Sequence, residues 1–329
     1  MNYHVREEPR GYKVNDLGAK APLNVPDVVM IDPCGKCNFK CCFCPCNNSN
    51  ENTDKRHVIM PFDLFKKTVD GLTEFDEKIP VVELFGFGEP LLNKDFCRMV
   101  RYLKDKNVCN LIRTTTNGSL LNKQLCEELI GSGLDYMKIS VEGIDNSAYR
   151  ELCQVDFDLD NLIRCLEFIK DQKSNMKVGV KIISSAFKNP QDRDHFFELF
   201  DDYVDYIYIR NVQQNWAEFD EMIVPAGSKD GVYTKNIRTG FKICSFPLTH
   251  IVIHANGDIV LCCFDWKHST SYSNIKNTTV YDAWNGSELR NIRIKHLSDR
   301  IEELPFCNNC ARRGYGYVDH CAGEILKRL

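Results

Sequence analysis

The stretch VVMIDPCGKCNFKCCFCPC, residues 28 to 46, runs from an apolar, β-branched segment directly into six of the chain's seventeen cysteines. A disulfide knot, a zinc site or an iron-sulfur site would each explain such crowding. Each predicts different company elsewhere in the chain. Cys37, Cys41 and Cys44 follow a C-x3-C-x2-C spacing immediately after the strand-like run. Three thiolates on one tight loop can hold three irons of a [4Fe-4S] cube and leave the fourth iron open to a substrate or cofactor.

The rest of the chain repeats the pattern that opens this stretch. Strand-like runs at 28 to 33, 81 to 87, 110 to 117, 136 to 142, 178 to 185 and 206 to 211 alternate with segments of 3.6-residue periodicity. Strand then helix, six times over, predicts a parallel sheet wound by right-handed crossovers. One helix is punctuated by Asn122 at its start and by Gly131 and Gly133 at its end. Beyond residue 211 the rhythm stops, and 212 to 243 reads as a linker or a substrate-side loop, with Trp216 and Phe219 either facing a sugar or packing the linker down. HIVIHANGDIVLCC then predicts a hairpin turning at Asn256 and Gly257, VYDAWNGSELRNIRIKHL a helical segment, and LPFCNNCARRGYGYVDHC a cysteine-bearing loop. The expected division is a leader at 1–27, the α/β unit at 28–211, the linker at 212–243 and a small C-terminal unit at 244–329.

Composition narrows the chemistry. At 329 residues and 43% hydrophobic, the chain can bury one large core plus a smaller one. Its formal net charge of -4 is spread without basic blocks, so neither nucleic acid nor an anionic membrane is expected as a partner. The N-terminus lacks the apolar core of a signal peptide, and the expected compartment is the cytoplasm. Thiols stay reduced there, which turns the reading away from disulfides and toward metal.

The cysteine triad, with Phe43 before its last member, resembles the defining motif of the radical S-adenosylmethionine (radical SAM) enzymes. The resemblance implies a partial (β/α)6 barrel in which the open iron binds the methionine part of SAM, and one electron cleaves SAM to a 5'-deoxyadenosyl radical. It also implies a flavodoxin- or ferredoxin-type electron donor. FGFGEP looks like the family's GGE element with Phe87 in place of the first glycine, so that Gly88 and Glu89 would serve the SAM amino group. TTTNG, with Asn117, and SVE also resemble family elements, and Ser140 and Glu142, on one strand face, would hydrogen-bond the SAM ribose hydroxyls. Cys34, Cys42 and Cys46 are read as bystanders. Cys97, Cys109, Cys126, Cys153 and Cys165 are read as small hydrophobes.

Cys244, Cys262, Cys307 and Cys310 form a second set, similar to the SPASM and Twitch auxiliary-cluster domains appended to such barrels. Only Cys321 follows, and Gly316 stands where full SPASM has its next cysteine, so the expectation is a Twitch-like unit with one [4Fe-4S] cluster. Cys263 is the alternative to Cys262, and Cys321 a spare ligand or hydrogen donor. A four-cysteine zinc ribbon also fits this spacing, and a zinc site at the first triad would need a fourth ligand. The four-cysteine spacing is similar to that of the dehydrogenase acting on 2-deoxy-scyllo-inosamine, which implies oxidation of a secondary alcohol of a sugar or aminocyclitol, with Arg210 orienting or deprotonating the hydroxyl. Modification of a ribosomal peptide or protein is the alternative within the family, and a zinc-stabilised, non-catalytic binding protein the alternative outside it.

Overall fold

The computed structural model describes residues 5–6, 17–45, 56–210, 243–310 and 318–329. Cys46, Trp216, Phe219, Gly316 and nearly all of the 212–243 segment lie outside the described residues.

Each of the six expected strands forms: β1 (Val28–Ile31), β2 (Ile79–Leu84), β3 (Cys109–Thr116), β4 (Tyr136–Val141), β5 (Lys177–Ile183) and β6 (Tyr206–Arg210). They pair in parallel with their sequence neighbours. The intervening helices are α2 (Phe62–Leu72), α3 (Phe96–Lys106), α4 (Lys123–Ser132), α5 (Asn146–Cys153), α6 (Leu159–Asp171) and α7 (Pro190–Phe200). Asn122 caps α4 by accepting from the Leu125 amide at 3.0 Å. Gly133 closes that helix at φ 83°, in the left-handed region glycine tolerates best, whereas Gly131 lies inside it.

Period two divides the sheet's side chains by chemistry. Val29, Ile31, Val82, Leu84, Ile112, Met137, Ile139, Val180, Ile182 and Ile207 join the main core with the helices. Their alternate neighbours share the other face by register: Met30 beside Glu83, Glu83 beside Arg113, Arg113 beside Tyr136, Ser140 beside Lys181, and Lys181 beside Tyr208. One face thus supplies the hydrophobic stabilisation. The other carries the polar and charged side chains, beside apolar Val28, Met30, Val81 and Val252 toward β1 and β7.

The C-terminal unit continues the same sheet. After α8 (Phe246–Thr249), β7 (His250–Ile253) pairs in parallel with β1, placing His250 opposite Val28 and Val252 opposite Met30. The expected hairpin follows, with β8 (Asp258–Val260) antiparallel to β7, and β9 (Ser273–Asn274) completes a nine-stranded order β6-β5-β4-β3-β2-β1-β7-β8-β9. The helical segment breaks at Gly286 into α9 (Val280–Asn285) and α10 (Ser287–Leu297), and α11 (Pro305–Asn308) and α12 (Ala322–Arg328) follow. From the leader, α1 (Leu17–Lys20) packs with α12, burying Leu17 and Ala21 against Val318, Cys321 and Ile325 in a second small core. No helix among the described residues is long and apolar enough to cross a membrane.

Candidate active site

The cysteine loop leaves the carboxyl end of β1 and is held from several sides. The buried Asp32 carboxylate accepts from the Cys34 amide at 3.1 Å, and the Gly35 amide donates to the Val58 carbonyl at 2.8 Å. Further along, the Lys40 and Cys42 amides donate to the Cys153 and Leu152 carbonyls at the end of α5, at 3.0 and 2.8 Å. Phe39 is buried edge-on against Tyr149 and Phe157, with ring centres 6.2 and 6.0 Å away. These anchors leave Cys37 exposed and Cys41 and Cys44 half-buried, while Cys34 and Cys42 are buried as packing groups. Phe43 is half-buried against the main core.

The electrostatics favour a bound cation on this loop. Although Cys37 is exposed as a residue, its thiol lies among protein groups, and the loss of hydration there, then Glu89, Cys41 and Cys44, push it up to about 12. Cys41 is raised by its hydrogen bond with Cys153, by burial and by further negative neighbours, and the two sulfurs lie 3.5 Å apart. Thiolates disfavoured by these surroundings become favourable when metal charge compensates them, so metal binding there is coupled to proton release.

Gly88 presses against the same loop. A Cβ on it would stand 2.1 Å from the Cys34 carbonyl oxygen and 2.3 Å from that of Lys36, so only glycine permits this approach. The next residue, Glu89, donates its amide to the Lys36 carbonyl at 2.7 Å. Its buried carboxylate accepts from the Leu91 amide, the Thr116 hydroxyl and the Asn117 amide at 3.0, 2.6 and 2.7 Å. Burial pushes Glu89 up to about 7 against these three donors. The Asn117 side chain donates to Asn38 at 2.9 Å and reaches to 4.0 Å from the Cys37 sulfur. The elements named from sequence after β1, β2 and β3 therefore form one hydrogen-bonded unit. Ser140 is half-buried on β4, and Glu142 just beyond is buried, with Oε2 lacking a hydrogen-bond partner and its carboxyl raised by burial.

The four distant cysteines also converge. Cys244, Cys262, Cys307 and Cys310 line one cavity enclosing about 450 Å³ of empty space, part of it open to solvent, with phenylalanine, proline and leucine side chains making most of the remaining wall. Burial and the neighbouring Cys262, Cys307 and Cys310 raise the Cys244 thiol. The Phe264 amide donates to the Cys262 sulfur at 3.4 Å. Cys263 is not among the residues lining that cavity; it packs with Met30, Val252 and Val260, and its thiol hydrogen-bonds with that of Cys262. Among the described residues, no group of three or more His, Cys, Asp or Glu side chains is gathered tightly enough for a single metal ion. Four sulfurs around a cavity, rather than around a point, suit a cube better than a zinc ion.

Residues 31–200 match the family model described as the radical SAM superfamily, slightly more than half of the chain. The chain belongs to the radical SAM superfamily. Residues 244–311 match SPASM, an iron-sulfur cluster-binding domain. The cofactors of this radical SAM protein are accordingly SAM and a [4Fe-4S] cluster, with further iron-sulfur ligation in the SPASM part.

Among curated relatives, a GTP 3',8-cyclase of Campylobacter jejuni is 27% identical over 197 residues, covering 60% of this chain and 57% of the relative. A probable GTP 3',8-cyclase of Methanocaldococcus jannaschii is 32% identical over 158 residues, 48% of this chain and 50% of the relative. A Fe-coproporphyrin III synthase of Methanosarcina barkeri is 27% identical over 178 residues, 53% of this chain and 41% of the relative. The chain spans about half the length of these relatives. Among solved structures, BtrN in complex with AdoMet and 2-DOIA superposes at TM-score 0.55 and 16% identity, over 89% of this chain and 98% of BtrN. SuiB of Streptococcus suis bound to the precursor peptide SuiA superposes at 0.63 and 16%, over 84% and 68%. At these identities the likeness is one of fold.

The remaining named residues fall in different surroundings. Arg210 ends β6 on the polar face, its guanidinium 5.2 Å from the Tyr208 ring centre. Cys321 does not line the four-cysteine cavity; it packs in the small second core and donates to the Val318 carbonyl at 3.2 Å. Three features escaped the motif reading. Lys138 lies over the Tyr208 and Tyr136 rings, and the two tyrosine hydroxyls are 3.1 Å apart. His254, at the end of β7, is buried between Phe87 and His268, with neither ring nitrogen hydrogen-bonded. Cys153 meets Cys41. Alternation along β4 and β7 carried a signal for the first two; nothing local marked the third.

Proposed function

We propose that this radical SAM enzyme oxidises a secondary alcohol of a small, polar polyol such as a sugar or aminocyclitol to a ketone. In this reading Cys37, Cys41 and Cys44 hold the cluster that binds SAM, with Phe43, Gly88, Glu89, Asn117, Ser140 and Glu142 around SAM. Cys244, Cys262, Cys307 and Cys310 hold a single auxiliary [4Fe-4S] cluster of the short, Twitch-like kind. When bound, these groups supply a 5'-deoxyadenosyl radical and an electron sink.

One observation carries the reading. The strand that launches the first cysteine loop is hydrogen-bonded along its length to β7, which lies between Cys244 and Cys262. Two cysteine sites built on adjoining strands suit a reaction that generates a radical at one and disposes of an electron at the other. Loss of a hydrogen atom from a carbinol carbon, then of one proton and one electron, converts the alcohol to a ketone, and an epimerisation needs no such sink. The polar face of β4 to β6, with Ser140, Lys138, Tyr208 and Arg210, offers donors and acceptors to hydroxyl groups and a cation to orient the one that loses its proton. BtrN, whose structure holds 2-DOIA with AdoMet, lends support at the level of fold.

The test is anaerobic turnover of reconstituted enzyme with cyclitols and sugars deuterated at each carbinol carbon. Deuterium in 5'-deoxyadenosine, one ketone formed per SAM consumed, supports the reading. Turnover of a precursor peptide or of GTP, with polyols inert, would replace it.

A further inference from the structure

We propose that His296 donates a ring N–H hydrogen bond to a sulfur of the auxiliary iron-sulfur centre and so raises the potential at which that centre accepts an electron. The inference rests on the reading that Cys244, Cys262, Cys307 and Cys310 hold that centre.

His296 occupies the last turn of α10 and is 3% exposed. Neither Nδ1 nor Nε2 has a hydrogen-bond partner among the described residues. A buried polar group left in that state is destabilising, so its presence asks for a partner that the described residues do not supply. The ring lines the four-cysteine cavity, and among the described residues it is the one polar side chain there besides the cysteines. A leucine would fill the same wall at no desolvation cost. Histidine is explained if the cavity's occupant offers acceptors, and an iron-sulfur cube offers bridging sulfides and thiolates.

Protonation does not enter the argument, because a neutral imidazole carries an N–H in either tautomer. Backbone amides already serve sulfurs of the same set: Phe264 donates to Cys262, and Phe246 bonds to the Cys244 thiol. Hydrogen bonds to cluster sulfurs stabilise the more negative, reduced state and raise the reduction potential. His296 is therefore a positioning residue for the electron, not a ligand of iron.

The test uses anaerobically reconstituted holoenzyme in redox titrations followed by electron paramagnetic resonance. His296→Leu is expected to keep full iron content and to lower the auxiliary midpoint by a tenfold change in the one-electron equilibrium, about 59 mV. The midpoint of the SAM-binding cluster is expected to stay, and His296→Gln, which retains an N–H, to recover part of the shift. Protein labelled with 15N-histidine is expected to show a weak nitrogen coupling at the reduced auxiliary centre, a measurement that decides the matter on the unmutated chain should His296→Leu not fold. An unshifted midpoint with iron retained, or the absence of 15N coupling, overturns the proposal. Strong coupling, or iron loss from a folded His296→Leu, makes the residue a ligand and overturns it as well. Failure of the underlying reading is separate: Cys244→Ala and Cys307→Ala would then leave the iron content unchanged.

Discussion

The Glu89 carboxylate receives the Asn117 amide at 2.7 Å and, through its other oxygen, the Thr116 hydroxyl at 2.6 Å, joining the carboxyl ends of β2 and β3 in a buried contact. A carboxylate presents acceptors to both strands at once. Glu89→Gln keeps one acceptor and turns an NH2 toward a donor, leaving a buried amide or hydroxyl unmatched. The expected loss is about 1–3 kcal/mol in anaerobic urea unfolding. Unchanged stability would show that the loop rearranges around the amide.

Gly88→Ala tests a different link. Its methyl group would stand 2.1 Å from the Cys34 carbonyl and 2.3 Å from that of Lys36, both backbone atoms of the cysteine loop, which has to move. The sheet core is remote from that movement, so the far-ultraviolet circular dichroism is expected to be unchanged. On the proposal of one cube at each cysteine set, iron after reconstitution is expected to fall from about eight per chain to about four, since a cube needs all three thiolates on one side. Retention of both clusters would show that the loop tolerates the shift.

The strands and the first site were legible because their signals are local. Runs rich in β-branched and apolar residues mark the strands, and Cys37, Gly88 and Asn117 follow one while Ser140 lies near the end of another. The parallel pairing of β7 with β1 was not legible, since it joins segments more than two hundred residues apart and leaves no mark in either. Gly286 ended a helix that periodicity had carried through. His296 was accessible in principle: Leu289, Arg293 and His296 recur on the buried side of α10, and a histidine there asks for a partner. Which cavity that side meets is a tertiary fact. Substrate choice is harder still, because it depends on how side chains of separate strands meet over the polar face.

Cys41 and Cys153 are expected to join when the first site is stripped of iron and oxidised. Their sulfurs are already 3.5 Å apart, and two backbone hydrogen bonds hold the loop on the end of α5. Treatment of iron-depleted protein with diamide, which takes up the two electrons and two protons, should give a disulfide-linked pair of peptides containing residues 41 and 153 by mass spectrometry. Cys153→Ala should then reconstitute more iron after the same exposure than the unmutated chain. Pairing of Cys41 with Cys37 or Cys44 instead would count against this geometry.

His250 predicts how stability responds to acid. Burial, and then Arg113, push its imidazole down to about 3, while Nδ1 sits 2.7 Å from the Thr249 hydroxyl. The folded chain keeps this ring neutral, whereas the unfolded chain protonates it near its ordinary value of about 6.5. The group's contribution is therefore fully present above that pH and is lost progressively as pH falls toward the folded value. Glu89 and Asp27, raised by burial to about 7 and about 6, act in the opposite sense, and their terms cancel when two variants are compared at the same pH. His250→Asn removes the titration while keeping a polar group near Thr249. It is expected to be less stable at pH 7.5, because packing against Phe246 is lost. From pH 6.5 to 5.5, however, the unmutated chain should lose about 1 kcal/mol more than the variant in urea unfolding. Parallel pH profiles for the two proteins would show that His250 titrates alike in the folded and unfolded chains.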